Sequence, residues 1–168
     1  TMSIPKEPHY FSTDIENGGI RNKEQYLGCF SHGDKKTKAV GESSTLYLFS
    51  KVAVENIYDY DEGSKFIVMV RNPIEIAQSF HQVALKVFGE TETNFQKAWL
   101  LQGNRKAGKK IPKGCIDQKL IQYGNIAKIG QQIEKVLSHI PPENIHFILH
   151  DDFKKSTKNE YSKVLKFL

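Results

Sequence analysis

Lys65-Phe66-Ile67-Val68-Met69-Val70-Arg71-Asn72-Pro73-Ile74-Glu75-Ile76-Ala77-Gln78-Ser79-Phe80 is the stretch on which the reading of this chain turns. Residues 66–70 are an unbroken apolar run, the mark of a strand buried on both faces. A helix start follows at once. Asn72 is a suitable cap, Pro73 suits the first helical position, and Glu75 stands three residues past the cap, as in a capping box. Ile76, Ala77, Phe80, Val83, Ala84 and Val87 then recur at helical spacing and define one apolar face. Arg71 is thereby placed at the carboxyl end of a buried strand, with Ser79 on another face of the helix. In open α/β sheets that end of a strand is where ligands bind, so an anion is expected there.

Outward from this stretch, the 168 residues suffice for one domain, 1–168, with a sizeable core. A charged fraction of 26% beside 39% apolar residues excludes a disordered chain. No run is long enough to span a membrane. The first residues lack a signal peptide's apolar core, and no Asn-x-Ser/Thr acceptor occurs. A cytoplasmic protein is expected, with a Golgi-lumenal one as the alternative if the sequence is a piece of a eukaryotic protein. The net charge of +5 favours an anionic partner without choosing it. Cys29 and Cys115 make no framework and are expected as reduced thiols. The histidines and cysteines show no zinc spacing, so no metal is expected. No aromatic-basic interleaving of RNA-recognition type occurs, so no nucleic-acid partner is expected.

Before the central stretch, residues 5–11 read as a short strand or extended segment, and 12–22, with Gly18-Gly19, as loop. Short helices are expected over 23–30 and 51–60, a short strand over 39–42, and a helical turn after Ser43-Ser44-Thr45. Beyond it, a helix is expected over 93–102. Residues 103–119 carry Arg105, Lys106, Lys109, Lys110, Lys113 and Lys119 against one acid, Asp117, and read as a mobile basic loop. From Leu120 a helical period returns and runs to Pro141-Pro142. Residues 145–149 form a second buried strand, and Thr157-x-x-Glu160 opens a last helix as a capping box. Trp99 and the Tyr/Phe stripes read as core. Strands alternating with helices imply an α/β domain of three layers with a mainly parallel sheet.

Two constellations carry chemistry. Arg71 offers a planar fork matched to phosphate, and the Ser79 hydroxyl adds a bond. By spacing alone, an arginine paired with an acid and a serine facing solvent is the plainer reading. Glu7 and His9, alternating on a strand, would share a face and could take a proton from a hydroxyl nucleophile. The plainer reading there is a surface ion pair. Glu42-Ser43-Ser44-Thr45, at a strand-to-helix junction, could aim hydroxyls at an anion or be an ordinary cap. No GxSxG elbow supports a hydrolase.

Three segments together resemble one family. Lys6-Glu7-Pro8-His9-Tyr10-Phe11, Val40-Gly41-Glu42-Ser43-Ser44-Thr45-Leu46-Tyr47, and Phe66 through Arg71-Asn72-Pro73 to Ala77-x-Ser79 are similar, in that order, to segments of carbohydrate sulfotransferases of the heparan sulfate type and their bacterial relatives. The tail from Tyr123-Gly124 through Asp151-Asp152-Phe153 to Leu168 fits the same family. The resemblance implies a P-loop NTPase-like fold. It also implies transfer of a sulfuryl group from 3'-phosphoadenosine 5'-phosphosulfate to a hydroxyl or amine of a carbohydrate or other small acceptor. By position, Glu7 would be the general base with His9 beside it. Arg71 and Ser79 would hold the donor's 3'-phosphate, and Lys113 and Gly114, which approximate a Lys-Gly-Arg element of the family's late loop, would also bind the donor. Lys6, Ser43 and Ser44 would face substrate. The family's first strand and Gly-rich loop, which grip the 5'-phosphosulfate, are missing here and are expected upstream of Thr1. Ser43 stands where some members carry Lys, Ile76 replaces the second Arg of the signature, and Ser12 replaces an acceptor-side Asp. The alternative function is a non-catalytic nucleotide- or glycan-binding module of the same fold. A nucleotide kinase is disfavoured by the lack of a Walker-type Lys-Ser/Thr.

Overall fold

The computed structural model describes residues 1–168. Its elements, in order, are α1 (Lys23–Gly28), α2 (Ala53–Tyr60), β1 (Phe66–Val70), α3 (Pro73–Val87), α4 (Phe95–Leu100) and α5 (Gln102–Lys106). Then come α6 (Tyr123–Ile126), α7 (Ile129–His139), β2 (Ile145–Leu149), α8 (His150–Lys155) and α9 (Thr157–Phe167). β1 and β2 pair in parallel, with Phe66 opposite Ile145 and Val70 opposite Leu149. On one face, Phe66 and Ile145 pack with Val54 of α2 and Val136 and Ile140 of and after α7. On the other face, the ring of Phe167 in α9 stacks on His146. Helix, sheet and helix thus form three layers, as the alternation of elements implies.

The central stretch folds as its residues dictate, with two differences. Asn72 Oδ1 accepts the Ile74 N–H and caps α3 behind Pro73. Glu75 does not return to the cap; it pairs with Arg71. The apolar run of β1 is not buried on both faces throughout, since Ile67 and Met69 remain 43% and 47% exposed. α9 covers that face over β2 and stops short of β1. The buried line of α3 is also rotated from the expected stripe. Ala77, His81 and Ala84 face inward, while Val83 and Val87 are exposed. Burying His81 is tolerable because its Nε2 meets the Glu92 carbonyl at 2.8 Å.

Other expectations are corrected. Residues 5–11 form no strand: Glu7 and His9 both have positive φ, 55° and 51°, which breaks an extended path. The strand over 39–42 reduces to a single bridge between Met2 and Gly41. The expected helix from Leu120 is three pieces, a 3-10 turn Gln118–Ile121 followed by α6 and α7. Leu120, Ile121 and Tyr123 are all fully buried, and no single straight helix face could point all three inward. Thr157 Oγ1 donates to the Phe153 carbonyl rather than capping α9, and Glu160 pairs with Lys163 instead. Trp99 is 41% exposed and so is not core, although its ring leans on Phe95.

The basic segment is less mobile than its composition suggests. Residues 102–106 are helical, and Arg105 is 1% exposed. Its guanidinium donates twice to Glu90, at 2.6 and 2.8 Å, and the Tyr123 hydroxyl adds a third bond to the same carboxylate. Further on, Ile116 N–H donates to the Phe88 carbonyl, so the loop lies against the end of α3. Gly89 makes that approach possible. Its φ is +76°, and a Cβ there would stand 1.9 Å from the Gly114 oxygen. Cys29 and Cys115 are both free thiols.

Candidate active site

The turn at residues 5–9 brings Glu7 and His9 together by a route other than strand alternation. His9 Nε2 lies 3.3 Å from Glu7 Oε2. Thr45 Oγ1 donates to the same oxygen at 2.9 Å, so both bonds fall on Oε2 and leave Oε1 open. The Glu7 side chain is 43% exposed and that of His9 only 11%. The carboxylate therefore faces solvent while the imidazole stands behind it. With Glu7 ionised, the proton of His9 belongs on Nε2, and the buried Nδ1 has no hydrogen-bond partner. Burial lowers the His9 pKa below 6.5, and the nearby Glu7 charge offsets only part of that effect. The pair is thus an imidazole, kept neutral by its burial, that stands behind an accessible carboxylate and can donate to it. Such an arrangement can orient a general base.

What holds the turn in place is a cluster around Glu42. The His9 N–H donates to Ser44 Oγ at 2.9 Å, and Ser44 Oγ donates on to Glu42 Oε2 at 2.5 Å. The hydroxyls of Tyr26 and Tyr47 both donate to Glu42 Oε1, at 2.9 and 2.8 Å. Burial first, then the Glu42 charge, raises both phenol pKa values, so both stay donors. Tyr47 also accepts the Phe11 N–H. From the other side, Arg21 donates to the carbonyls of His9, Ser12 and Ile15. Gly19 lets this loop close, because a Cβ there would sit 2.7 Å from that of His9. Sequence reasoning missed Arg21, Tyr26 and Tyr47. Nothing in the spacing of a lone arginine and two aromatics signals a shared acceptor.

The remaining expected residues are scattered along the molecule. Arg71, at the end of β1, gives Nε to Glu75 at 2.7 Å and keeps both terminal amines unbonded. Ser79 is exposed on α3, six residues after Pro73 and so about 9 Å further along the axis. An arginine side chain and a phosphate together bridge such a span. Lys113 and Gly114 belong to the loop against Gly89, at the opposite end of α3. That is on the order of 20 Å from Arg71, too far to share one phosphate with it. Lys6, next to Glu7 in sequence, and Ser43, next to Ser44, are both exposed. Ser44 is 8% exposed and its hydroxyl is engaged inside the cluster.

A profile of the sulfotransferase domain family matches residues 3–168. None of the curated proteins matches the chain significantly. Among solved structures, the crystal structure of a sulfotransferase from Alicyclobacillus acidocaldarius is similar with a TM-score of 0.81 at 22% identity. The match covers 99% of this chain and 69% of that one. A sulfotransferase domain from the curacin biosynthetic pathway is similar with a TM-score of 0.53 at 19% identity, over 86% of this chain and 42% of that one. At these identities the likeness speaks for the fold.

Proposed function

The chain belongs to the sulfotransferase domain family, and from that premise we propose that it moves a sulfuryl group from 3'-phosphoadenosine 5'-phosphosulfate to a hydroxyl or amine of a carbohydrate or other small acceptor. The observation that carries the reading is the Glu7 carboxylate, braced on Oε2 by His9 and Thr45 and open at Oε1. In the proposed reaction the acceptor oxygen attacks sulfur as the bond from sulfur to the 5'-phosphate oxygen breaks. Glu7 takes the acceptor's proton, and fixed positive charge on the donor holds it in line. His9 is assigned to orienting Glu7 rather than to touching the acceptor, because it stands behind the carboxylate.

Arg71 and Ser79 are assigned to the 3'-phosphate. Arg71 has two unbonded amines for it, and the exposed Glu75 pair is weak enough to yield. Lys113 and Gly114, at the far end of α3, are left out of that phosphate site. Lys6 and Ser43 are assigned to the acceptor side; Ser44 supports the turn. The test is binding of adenosine 3',5'-bisphosphate by calorimetry, alongside a transfer assay on a glycan panel. Arg71→Ala should weaken the nucleotide by roughly tenfold or more, as loss of a charge-assisted bond does. Equal binding by wild type and variant would overturn the assignment. Tight nucleotide binding with no transfer to any acceptor would leave a non-catalytic binding module.

A further inference from the structure

One corner of the molecule gathers aliphatic side chains on its outside. A few backbone links tie that corner together. Met2 bridges Gly41, the Ser3 N–H donates to the Gly41 carbonyl, and the Ile4 N–H donates to the Cys29 carbonyl. Ser3 and Cys29 are buried, whereas Met2 and Ile4, on either side of Ser3, are each more than half exposed. Val40, next to Gly41, is also more than half exposed, and Leu27, two residues before Cys29, is nearly so. A single exposed aliphatic residue is ordinary on a protein surface; four of them tied into one corner form a patch with a use.

Lysines rim the same corner. Residues 31–38, after α1, are held to the first residues by Thr37 Oγ1, which lies 3.5 Å from Thr1 Oγ1. This loop carries Lys35, Lys36 and Lys38, and Lys6 follows Ile4 on the other side. All four lysines are exposed, and none belongs to an ion pair. The one acid of the loop, Asp34, is occupied: its Oδ1 accepts the Lys36 N–H and the Thr37 hydroxyl. On α1, Lys23 offsets Glu24. Charge and aliphatic surface together choose the partner. A nucleic acid or a soluble glycan would use the charge alone, and none of the four apolar side chains is an aromatic ring that could stack on a base or sugar. A second copy of the chain, docked about a two-fold axis, would set lysines against lysines. A bilayer with anionic headgroups uses both, because ammonium groups meet lipid phosphates while aliphatic tips enter the acyl boundary.

We propose that this corner docks the chain on a bilayer surface rich in anionic lipid. Met2, Ile4, Leu27 and Val40 enter between headgroups, and Lys6, Lys35, Lys36 and Lys38 lie over their phosphates. Docking is independent of sulfuryl transfer; only its consequence rests on that reading. Glu7 is three residues from Ile4, at most about 11 Å along the chain, so docking holds the proposed base at the membrane surface. The test is co-sedimentation of the full chain with vesicles, without nucleotide. The wild type should pellet with phosphatidylcholine vesicles that contain phosphatidylglycerol, stay in solution with phosphatidylcholine alone, and be partly released by added salt. Combined Lys35→Gln, Lys36→Gln and Lys38→Gln should weaken binding by roughly tenfold or more. Met2→Ser with Ile4→Ser should weaken it by a similar factor. Combined Lys154→Gln, Lys155→Gln and Lys158→Gln, which removes the same charge from α8 and α9, should leave it unchanged. No pelleting with anionic vesicles, equal pelleting with neutral ones, or equal loss in the two lysine variants would overturn the proposal. So would a wild-type dimer that Met2→Ser with Ile4→Ser dissociates, or full competition by soluble heparin while that variant still binds vesicles normally. With no nucleotide present, none of these results bears on Arg71 and the donor.

Discussion

At the scale of single residues, the proposed reaction rests on one carboxylate that is accessible, Glu7, and one imidazole that is not, His9. Replacing Glu7 by Gln keeps the shape and removes the base. Turnover is expected to fall by about 10²–10⁴-fold with nucleotide binding unchanged, checked by kcat beside calorimetry. His9 makes a separate prediction through pH. Its folded pKa lies below the ordinary 6.5 because burial disfavours the charged form. The unfolded chain therefore binds the proton first as pH falls. The stabilising contribution is fully present above pH 6.5 and is lost as pH drops from there through the folded pKa. Melting temperature should decline over that range, and His9→Gln should flatten the decline. Glu90 behaves alike at lower pH. Burial alone would raise its pKa, but the bonds from Arg105, Tyr123 and two backbone amides outweigh it and hold the carboxyl near 2. Its contribution is present above 4.5 and is lost toward pH 2. Glu90→Gln leaves the buried Arg105 charge uncompensated and should cost about 3–5 kcal/mol in denaturant unfolding. The paired replacement Glu90→Leu with Arg105→Met should recover much of that loss.

At the scale of elements, α3 is the spine, fixed at its start by Asn72 and at its end by Gly89. Gly89→Ala forces a Cβ onto the Gly114 oxygen from a left-handed backbone, so a loss of more than about 1 kcal/mol is expected, with the 112–116 loop displaced. Thermal unfolding and amide shifts of that loop would check it. The start of α3 was readable because Asn-Pro is a local signal, and both strands were readable as apolar runs. The turn at Glu7 and His9 was not. The sequence placed the two residues side by side through a strand, whereas two left-handed residues do it, and that conformation is imposed by Ser44, Arg21 and Gly19 from elsewhere in the chain. Arg105 was misread for a similar reason. Its charge looked like solvent-facing loop because its partner, Glu90, lies fifteen positions away on the other side of α4. Glu7 and Arg71 were legible as candidates, from their alternation with His9 and from the strand end as well as from the family resemblance; the Glu42 cluster exists only once distant segments meet.

At the scale of the whole molecule, three modest clusters share the burial. The largest surrounds α3, another gathers Phe11, Tyr26 and Ala53 under the Glu7 turn, and a third backs the sheet. The turn thus has its own apolar floor, with Tyr10 stacked on Tyr26 at 4.3 Å. Tyr26→Phe keeps the floor but removes one donor to Glu42. It should change stability by about 1 kcal/mol and raise mobility at residues 5–9, seen as faster amide exchange there. The parallel pairing of β1 with β2 has a further consequence, and it concerns time. The two strands lie almost half the chain apart, so no local hairpin can start their ladder. Everything from α3 to α7 must be gathered before Phe66 meets Ile145, and closing so long a loop makes such contacts late. In a pulse-labelled refolding experiment, the amides of α3 should gain protection ahead of those bridging the strands, leaving Ile67 and Met69 bare for longest.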